Sequence, residues 1–279
     1  MNVTRTKIAV AQFAAGPDKA ENLATIRRLL VDELRSLESV SEESPVDLVV
    51  LPEAAMREFG PPGDPLAPHA EPLDGPFVAE LGKLARGADT NLVAGIFERG
   101  DDERVFNTLV VLGRDGELTA TYRKVHLYDA FAYQESDRLI PGIAEPPVLD
   151  DLIPGLNLGL MTCYDLRFPE LSRSLVDRGA DVLLVPAAWV RGPLKEMHWS
   201  TLVRARAIEN TSYVVASGQC GSVCAGNSMV VDPQGITVGS LGEQEGVFTA
   251  EIDHARIRDV RTTNPSLANR RYPQPRLAG

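Results

Sequence analysis

Short apolar runs alternating with segments of helical period constrain this chain more than any other feature. KIAVAQF, DLVVLPE, NLVAGIFE, LNLGLMTC, DVLLVPAA and SYVVASGQC are rich in Val, Leu and Ile and too short for helices. Continuous runs of this kind suit strands buried on both faces, which requires helices packed over a sheet. Residues 21–39, 76–86, 169–178 and 198–210 have helical periodicity, the third opening on Pro169, a residue favoured in a first turn. Two hairpins interrupt the alternation: TLVVLGRDGELTATY turns at Asp115-Gly116 and SMVVDPQGITVGS at Pro233-Gln234-Gly235.

The pattern occurs twice. DLVVLPEA (47–54) is echoed by DVLLVPAA (181–188), and each is followed by a helix, a strand and a hairpin. Two similar α/β halves, each with one sheet face to bury, predict an α/β fold: a four-layer α-β-β-α sandwich with internal pseudo-two-fold symmetry. No linker or low-complexity run divides the sequence, and the Pro-rich stretch 61–76 is short enough for a surface loop, so residues 1–279 read as a single domain.

Composition narrows the partners. A formal net charge of -11 argues against nucleic acid, whose binders cluster Lys and Arg, but leaves room for an anionic small molecule in a locally basic pocket. No apolar stretch near the N-terminus has the form of a signal peptide or a membrane span, so the reading is a cytoplasmic protein that does not engage a membrane. Cys163, Cys220 and Cys224 are too few for a disulfide framework. Cys220 and Cys224 with His254 lack a second paired set for a metal, and no metal or cofactor is expected.

Chemistry concentrates at strand ends, where open α/β sheets place their sites. Cys163 closes the run LNLGLMT shortly before Pro169, a sharp strand-to-helix turn that presents a thiol beside backbone N–H donors; a small buried apolar cysteine is the alternative. Glu53 directly follows DLVVLP, where a carboxylate costs free energy unless paired or at a cavity; it is a candidate general base, against an ordinary loop glutamate. Lys124, in TYRKVHLYD after the first hairpin, is a candidate for holding an oxyanion, against a solvated lysine. His126 or His198 would serve a Cys-His hydrolase instead.

LPEA, YRKVHLYD and CYDLRFPEL, in this order, resemble the nitrilase superfamily of amidases and nitrile hydrolases, and the resemblance extends through HWSTLVRARAIENTSYVVASGQCG and GNSMVVDPQG. It implies a Glu-Lys-Cys triad of Glu53, Lys124 and Cys163, a supporting Glu135 in YQES, and an oxyanion donor at the backbone N–H of Tyr164. It further implies the same sandwich fold, a thioester intermediate, and a homodimer or larger homo-oligomer with the tail, about 262–279, in its contacts. The segments HW...RARAIE and SMVVDP are similar to the branch containing omega-amidases and deaminated-glutathione amidases, which implies a small-molecule amide as substrate rather than a nitrile or carbamoyl compound. A silent binding protein on this fold is the reading from another class.

Substrates of that branch imply a basic residue for a distal carboxylate, and Arg191 is the candidate. The shortened segment AFAYQ, the longer PLKEMHW and Trp189 depart from the branch, so Phe131, Tyr133 and Trp189 are candidates for reshaping the acyl pocket. Arg167 is expected to brace the elbow through an ion pair or to make a subunit contact.

Overall fold

The computed structural model describes residues 5–40, 45–100 and 103–272. Residues 1–4 and 273–279, including the end of the tail expected in oligomer contacts, lie outside the described residues. Strands β1 (Arg5–Gln12), β2 (Leu48–Val50), β3 (Asn91–Arg99), β4 (Val105–Leu112), β5 (Leu118–Arg123) and β14 (Gly246–Asp253) form one sheet, ordered β14-β1-β2-β3-β4-β5. The second sheet contains β8 (Val148–Ile153), β9 (Leu156–Leu160), β10 (Val182–Ala187), β11 (Tyr213–Gly218), β12 (Met229–Val231) and β13 (Thr237–Ser240). Its order is β13-β12-β11-β10-β9-β8. A two-stranded hairpin, β6 (Asp129–Ala130) with β7 (Tyr133–Gln134), stands apart from both.

The two sheets repeat one plan. From β14 to β5 the successive pairings are antiparallel, parallel, parallel, antiparallel and antiparallel; from β8 to β13 they follow the same series. The echo between DLVVLPEA and DVLLVPAA is thus the equivalence of β2 and β10. β8 and β14, which sequence patterning did not mark, are the antiparallel edge strands that complete it.

Alternation within the strands builds the layers, because successive side chains leave opposite faces. Ile8, Val10, Leu48, Val50, Leu158, Leu160, Val182, Leu184 and Val215 fill the space between the sheets. Their neighbours Ala9, Val49 and Leu51 face Ile26, Leu29, Phe77 and Leu81 of the helices on the first sheet. Leu183, Val185 and Val214 face Leu171, Leu175, Trp199 and Val203 of those on the second. The fold is the expected α-β-β-α sandwich.

The helices differ from expectation in detail. The stretch expected at 21–39 is α1 (Lys19–Arg27), capped by the Asp18 carboxylate, then a π-helical segment Arg28–Glu33, then α2 (Leu34–Val40). The wider turn buries both Leu29 and Leu30. α3 (Pro76–Ala88) and α4 (Pro169–Asp177) start on their prolines as expected, and α6 (His254–Thr263) closes the chain's regular structure. α5 (Lys195–Asn210) begins ahead of His198, at Lys195, after a left-handed Leu194 (φ 62°). Among the described residues no helix is long and apolar enough to cross a membrane.

Candidate active site

Glu53, Lys124, Glu135 and Cys163 come from four separate segments and meet at one end of the sheets. Glu53 is in the turn after β2, Lys124 follows β5, and Glu135 opens a short 3-10 turn after β7. Cys163 opens the 3-10 turn Cys163–Arg167 that follows β9. Cys163 has φ 46° and Ala54, next to Glu53, φ 54°. Left-handed backbone at non-glycine residues costs about 1–3 kcal/mol each and clusters where geometry is imposed for function. The elbow is held from beneath by Asp165, fully buried, which accepts from Thr162 N (2.8 Å), Tyr122 Oη (2.6 Å) and His126 N (3.1 Å).

The Lys124 ammonium is the centre of the cluster. It lies 3.0 Å from Glu53 Oε1 and 3.0 and 2.9 Å from the two Glu135 oxygens, with all three side chains at most 2% exposed. Glu53 Oε1 also accepts from Asn107 Nδ2 at 2.7 Å and Oε2 from the backbone N–H of Ala188 at 2.6 Å. Glu135 Oε2 accepts from Tyr128 N at 2.5 Å. The Cys163 thiol is within electrostatic reach of Glu53, Lys124 and Glu135.

Burial pulls the Lys124 pKa down, but Glu135 and Glu53 outweigh it and hold the amine well above its ordinary value, so it stays an ammonium. Burial, then the Glu53 charge, pushes the Cys163 thiol well above the ordinary thiol range despite Lys124, so the resting sulfur is protonated. Burial raises Glu135, opposed by Lys124. A neutral thiol beside a carboxylate and a fixed cation is an arrangement that can pass a proton from sulfur to oxygen as an electrophile arrives.

Three partners of this cluster were not read from the sequence. Asn107 projects from β4, where a buried amide in VFNTLVVL is the one polar signal; Ala188 N follows β10; and Gln219 Nε2 donates to the Glu53 and Ala54 carbonyls at 2.7 and 3.1 Å, fixing the Glu53 turn. The pseudo-symmetry explains the economy: Ala187 stands where the first half has Glu53, and the next residue's N–H serves the carboxylate.

The imidazoles point elsewhere. His126 Nδ1 lies 2.8 Å from Asp165 and its ring stacks on Phe168 at 3.7 Å, while His198 Nδ1 faces Arg167 Nη2 at 3.5 Å. His254 Nε2 pairs with Thr6 Oγ1 at 2.8 Å, at the start of α6.

Tyr128, Phe131, Tyr133, Tyr164 and Phe168 form a chain of ring contacts from the hairpin to the elbow: Tyr164, next to Cys163, meets Tyr128 and Phe168 edge-on at 5.0 and 5.3 Å, and Tyr128 lies 6.2 and 5.9 Å from Phe131 and Tyr133. Phe131, at the tip of the hairpin, is 68% exposed, and Tyr133 Oη bonds Arg138. A surface groove of about 450 Å³ runs along this hairpin past Pro62, Asp129, Tyr133 and Arg138, but none of the four clustered residues lines it. Trp189 is buried, with its indole N–H on Lys195 O at 2.8 Å.

Two basic residues singled out in the sequence have these surroundings. Arg191 is engaged by Glu243 (3.1 Å) and Gly221 O (3.1 Å), so its charge is already met at the surface. Arg167 has no carboxylate partner among the described residues and lies over Trp189, 4.9 Å from its ring centre, so the expected intrachain brace is a cation–π contact and not an ion pair.

The carbon-nitrogen hydrolase family model matches residues 7–262. A deaminated glutathione amidase of Escherichia coli O157:H7 is 44% identical over 245 residues, covering 87% of this chain and 91% of that protein. A carbon-nitrogen hydrolase from Helicobacter pylori G27 superposes with a TM-score of 0.85 at 26% identity, covering 96% of each chain. An amidase of the nitrilase superfamily from Nesterenkonia AN1 gives 0.77 at 27% identity, covering 96% of this chain and 98% of that one. With a family match across nearly its whole length, the sandwich fold and the three motifs in order, this chain belongs to the carbon-nitrogen hydrolases of the nitrilase superfamily.

Proposed function

We propose that the protein is an amidase that cleaves a linear, non-peptide carbon-nitrogen bond in the amide of a small carboxylic acid, through a thioester on Cys163. The observation that carries this reading is the buried Glu53–Lys124–Cys163 cluster, with the Lys124 ammonium 3.0 Å from Glu53 and the thiol in the field of both. Relatives named as amidases support an amide as substrate.

In the reaction, Glu53 takes the Cys163 proton as the sulfur attacks the amide carbon. The carbonyl oxygen becomes an oxyanion, stabilised by Lys124 and by the backbone N–H of Tyr164 in the first turn of the elbow, where helical N–H groups lack intrahelical partners. Collapse of the intermediate expels ammonia or an amine, which takes the proton from Glu53. Glu53 then takes a proton from water as its oxygen attacks the thioester carbon; the carbon-sulfur bond breaks, the Cys163 sulfur takes that proton back from Glu53, and the carboxylic acid is released. Glu135 keeps Lys124 charged and fixed in place.

The whole chain acts as one catalytic domain, in the cytoplasm, where its three free thiols persist, and as a homodimer or larger homo-oligomer. The test is ammonia release across omega-amides, peptide-like amides, carbamoyl compounds and nitriles, with Cys163→Ala as control. Turnover of amides that Cys163→Ala abolishes supports the proposal; turnover of nitriles alone, or activity retained by Cys163→Ala, overturns it.

A further inference from the structure

Lys195 carries an unusual charge. It is 8% exposed, yet among the described residues its ammonium has no carboxylate partner; its one hydrogen bond is to the neutral hydroxyl of Tyr128 at 2.5 Å. The ammonium also lies over two aromatic faces, 3.9 Å from the Phe131 ring centre and 4.9 Å from that of Tyr128. Lys124, the buried amine of the catalytic cluster, is matched by two carboxylates. The contrast is sharper in a chain with 39 acidic and 28 basic residues, where an acidic partner is easy to supply.

A second cation adds to the imbalance. Arg167 lies close enough to Lys195 for the two charges to repel, and its buried Nε has no hydrogen-bond partner among the described residues. Both stand beside the elbow: Tyr128, which accepts from Lys195, packs edge-on against Tyr164, the neighbour of Cys163, and Arg167 ends the turn that Cys163 opens. Like charges held close together where one of them is largely buried favour the arrival of an anion.

The backbone of Lys195 is fixed in advance. Its N–H donates to Gly192 O at 3.0 Å, its carbonyl accepts from Trp189 Nε1 at 2.8 Å, and the left-handed Leu194 sets its direction as the first residue of α5. An ammonium has three donors in all, and Tyr128 takes one.

We infer that Lys195 is a specificity-determining residue of this site, receiving a carboxylate that the substrate carries away from its scissile amide. This rests on the amidase reading and names the group that selects among amides, a place the sequence suggested for Arg191. A carboxylate displaces only a neutral hydroxyl and a ring face, because charge-assisted hydrogen bonds are about twice as strong as neutral ones. The hairpin tip at Phe131 and Ala132, with φ 55° and 61°, holds the ring against the ammonium until then.

The experiment compares kcat/KM for an omega-amide bearing a free carboxylate with that for an uncharged amide of equal length. It uses the unmodified protein, Lys195→Met and Lys195→Arg. The expected result is a preference for the carboxylated amide that falls roughly 10- to 100-fold in Lys195→Met, chiefly through KM, and is largely recovered in Lys195→Arg. An unchanged preference ratio, or no preference in the unmodified protein, overturns the inference.

A binding arm separates this inference from the amidase reading. Calorimetric titration of Cys163→Ala with the dicarboxylate product is expected to show binding at least tenfold tighter than with the monocarboxylate of equal length, whether or not turnover is found. Equal affinities overturn the inference and leave the amidase reading standing. Tighter dicarboxylate binding without amide turnover sinks the amidase reading alone. The same titration decides the matter if Lys195→Met does not fold.

Discussion

Gly95→Ala tests how closely Glu53 must be placed, without touching any reacting group. Gly95 lies in the middle of β3 against the Glu53 turn, donating to Pro52 O at 3.1 Å and accepting from Met56 N at 3.3 Å. A Cβ at this position would stand 2.5 Å from Ala54 N, 2.6 Å from Glu53 Cα and 2.8 Å from Glu53 C. Ordinary contacts need about 3.5–4.0 Å, so the turn must retreat by roughly 1 Å. The Glu53 carboxylate is tied by donors at 2.6, 2.7 and 3.0 Å, bonds that tolerate only a few tenths of an ångström. A misplacement of this size costs about 100-fold in rate. Overpacking costs about 1–3 kcal/mol of stability, and at about 2–4 °C per kcal/mol in a chain of this size the melting temperature drops by a few degrees up to roughly ten. Steady-state kinetics on an amide found in the screen, with circular-dichroism melts, read both. A folded Gly95→Ala protein with kcat/KM within about threefold of the original would refute the reasoning.

Asn107→Leu removes the 2.7 Å donor to Glu53 while keeping the volume, and a charge-assisted bond of about 1.5–3 kcal/mol predicts a roughly 10- to 100-fold fall in kcat/KM; a loss below threefold contradicts the role. His126→Asn should still acylate, because His126 bonds Asp165 and stacks on Phe168; abolished acylation in a folded variant would revive an imidazole mechanism. For pH, the native Cys163 pKa is raised well above its ordinary 9.0 by burial and then Glu53. Above pH 9 the unfolded chain therefore releases this proton while the native state keeps it. Native stability must fall with rising pH, by up to about 1.4 kcal/mol per unit for this group. Urea denaturation between about pH 8.5 and 9.5, where the unfolded lysine still holds most of its proton and Lys124 contributes little, should show a shallower decline in Cys163→Ala; equal slopes would refute the shift.

What sequence reading reached depends on how local the signal is. The sheet plan follows from apolar runs and from the DLVVLPEA echo, since burial on both faces leaves a continuous pattern that needs no partner to be recognised. β8 and β14 escaped because edge strands are half exposed: VLDDLI and GVFTAEID mix polar residues into the run. The expected positions at Glu53, Lys124, Glu135 and Cys163 lie in contiguous motifs, and the fold brings all four together. Asn107, Gln219 and the Ala188 amide act on Glu53 from 54, 166 and 135 residues away, and no local pattern announces such contacts. The surroundings of the basic residues were hidden for a similar reason: Arg191 and Lys195 are four residues apart, and only the fold pairs Arg191 with Glu243 while Lys195 meets no carboxylate among the described residues.

The most direct test of the central claim is mass spectrometry of the acid-quenched protein during turnover of a good amide substrate. The account predicts an increase equal to the acyl group, mapped to the peptide carrying Cys163, absent from Cys163→Ala, and decaying as free acid appears. An acyl group on another residue, or amide turnover in Cys163→Ala at the original rate, would contradict it.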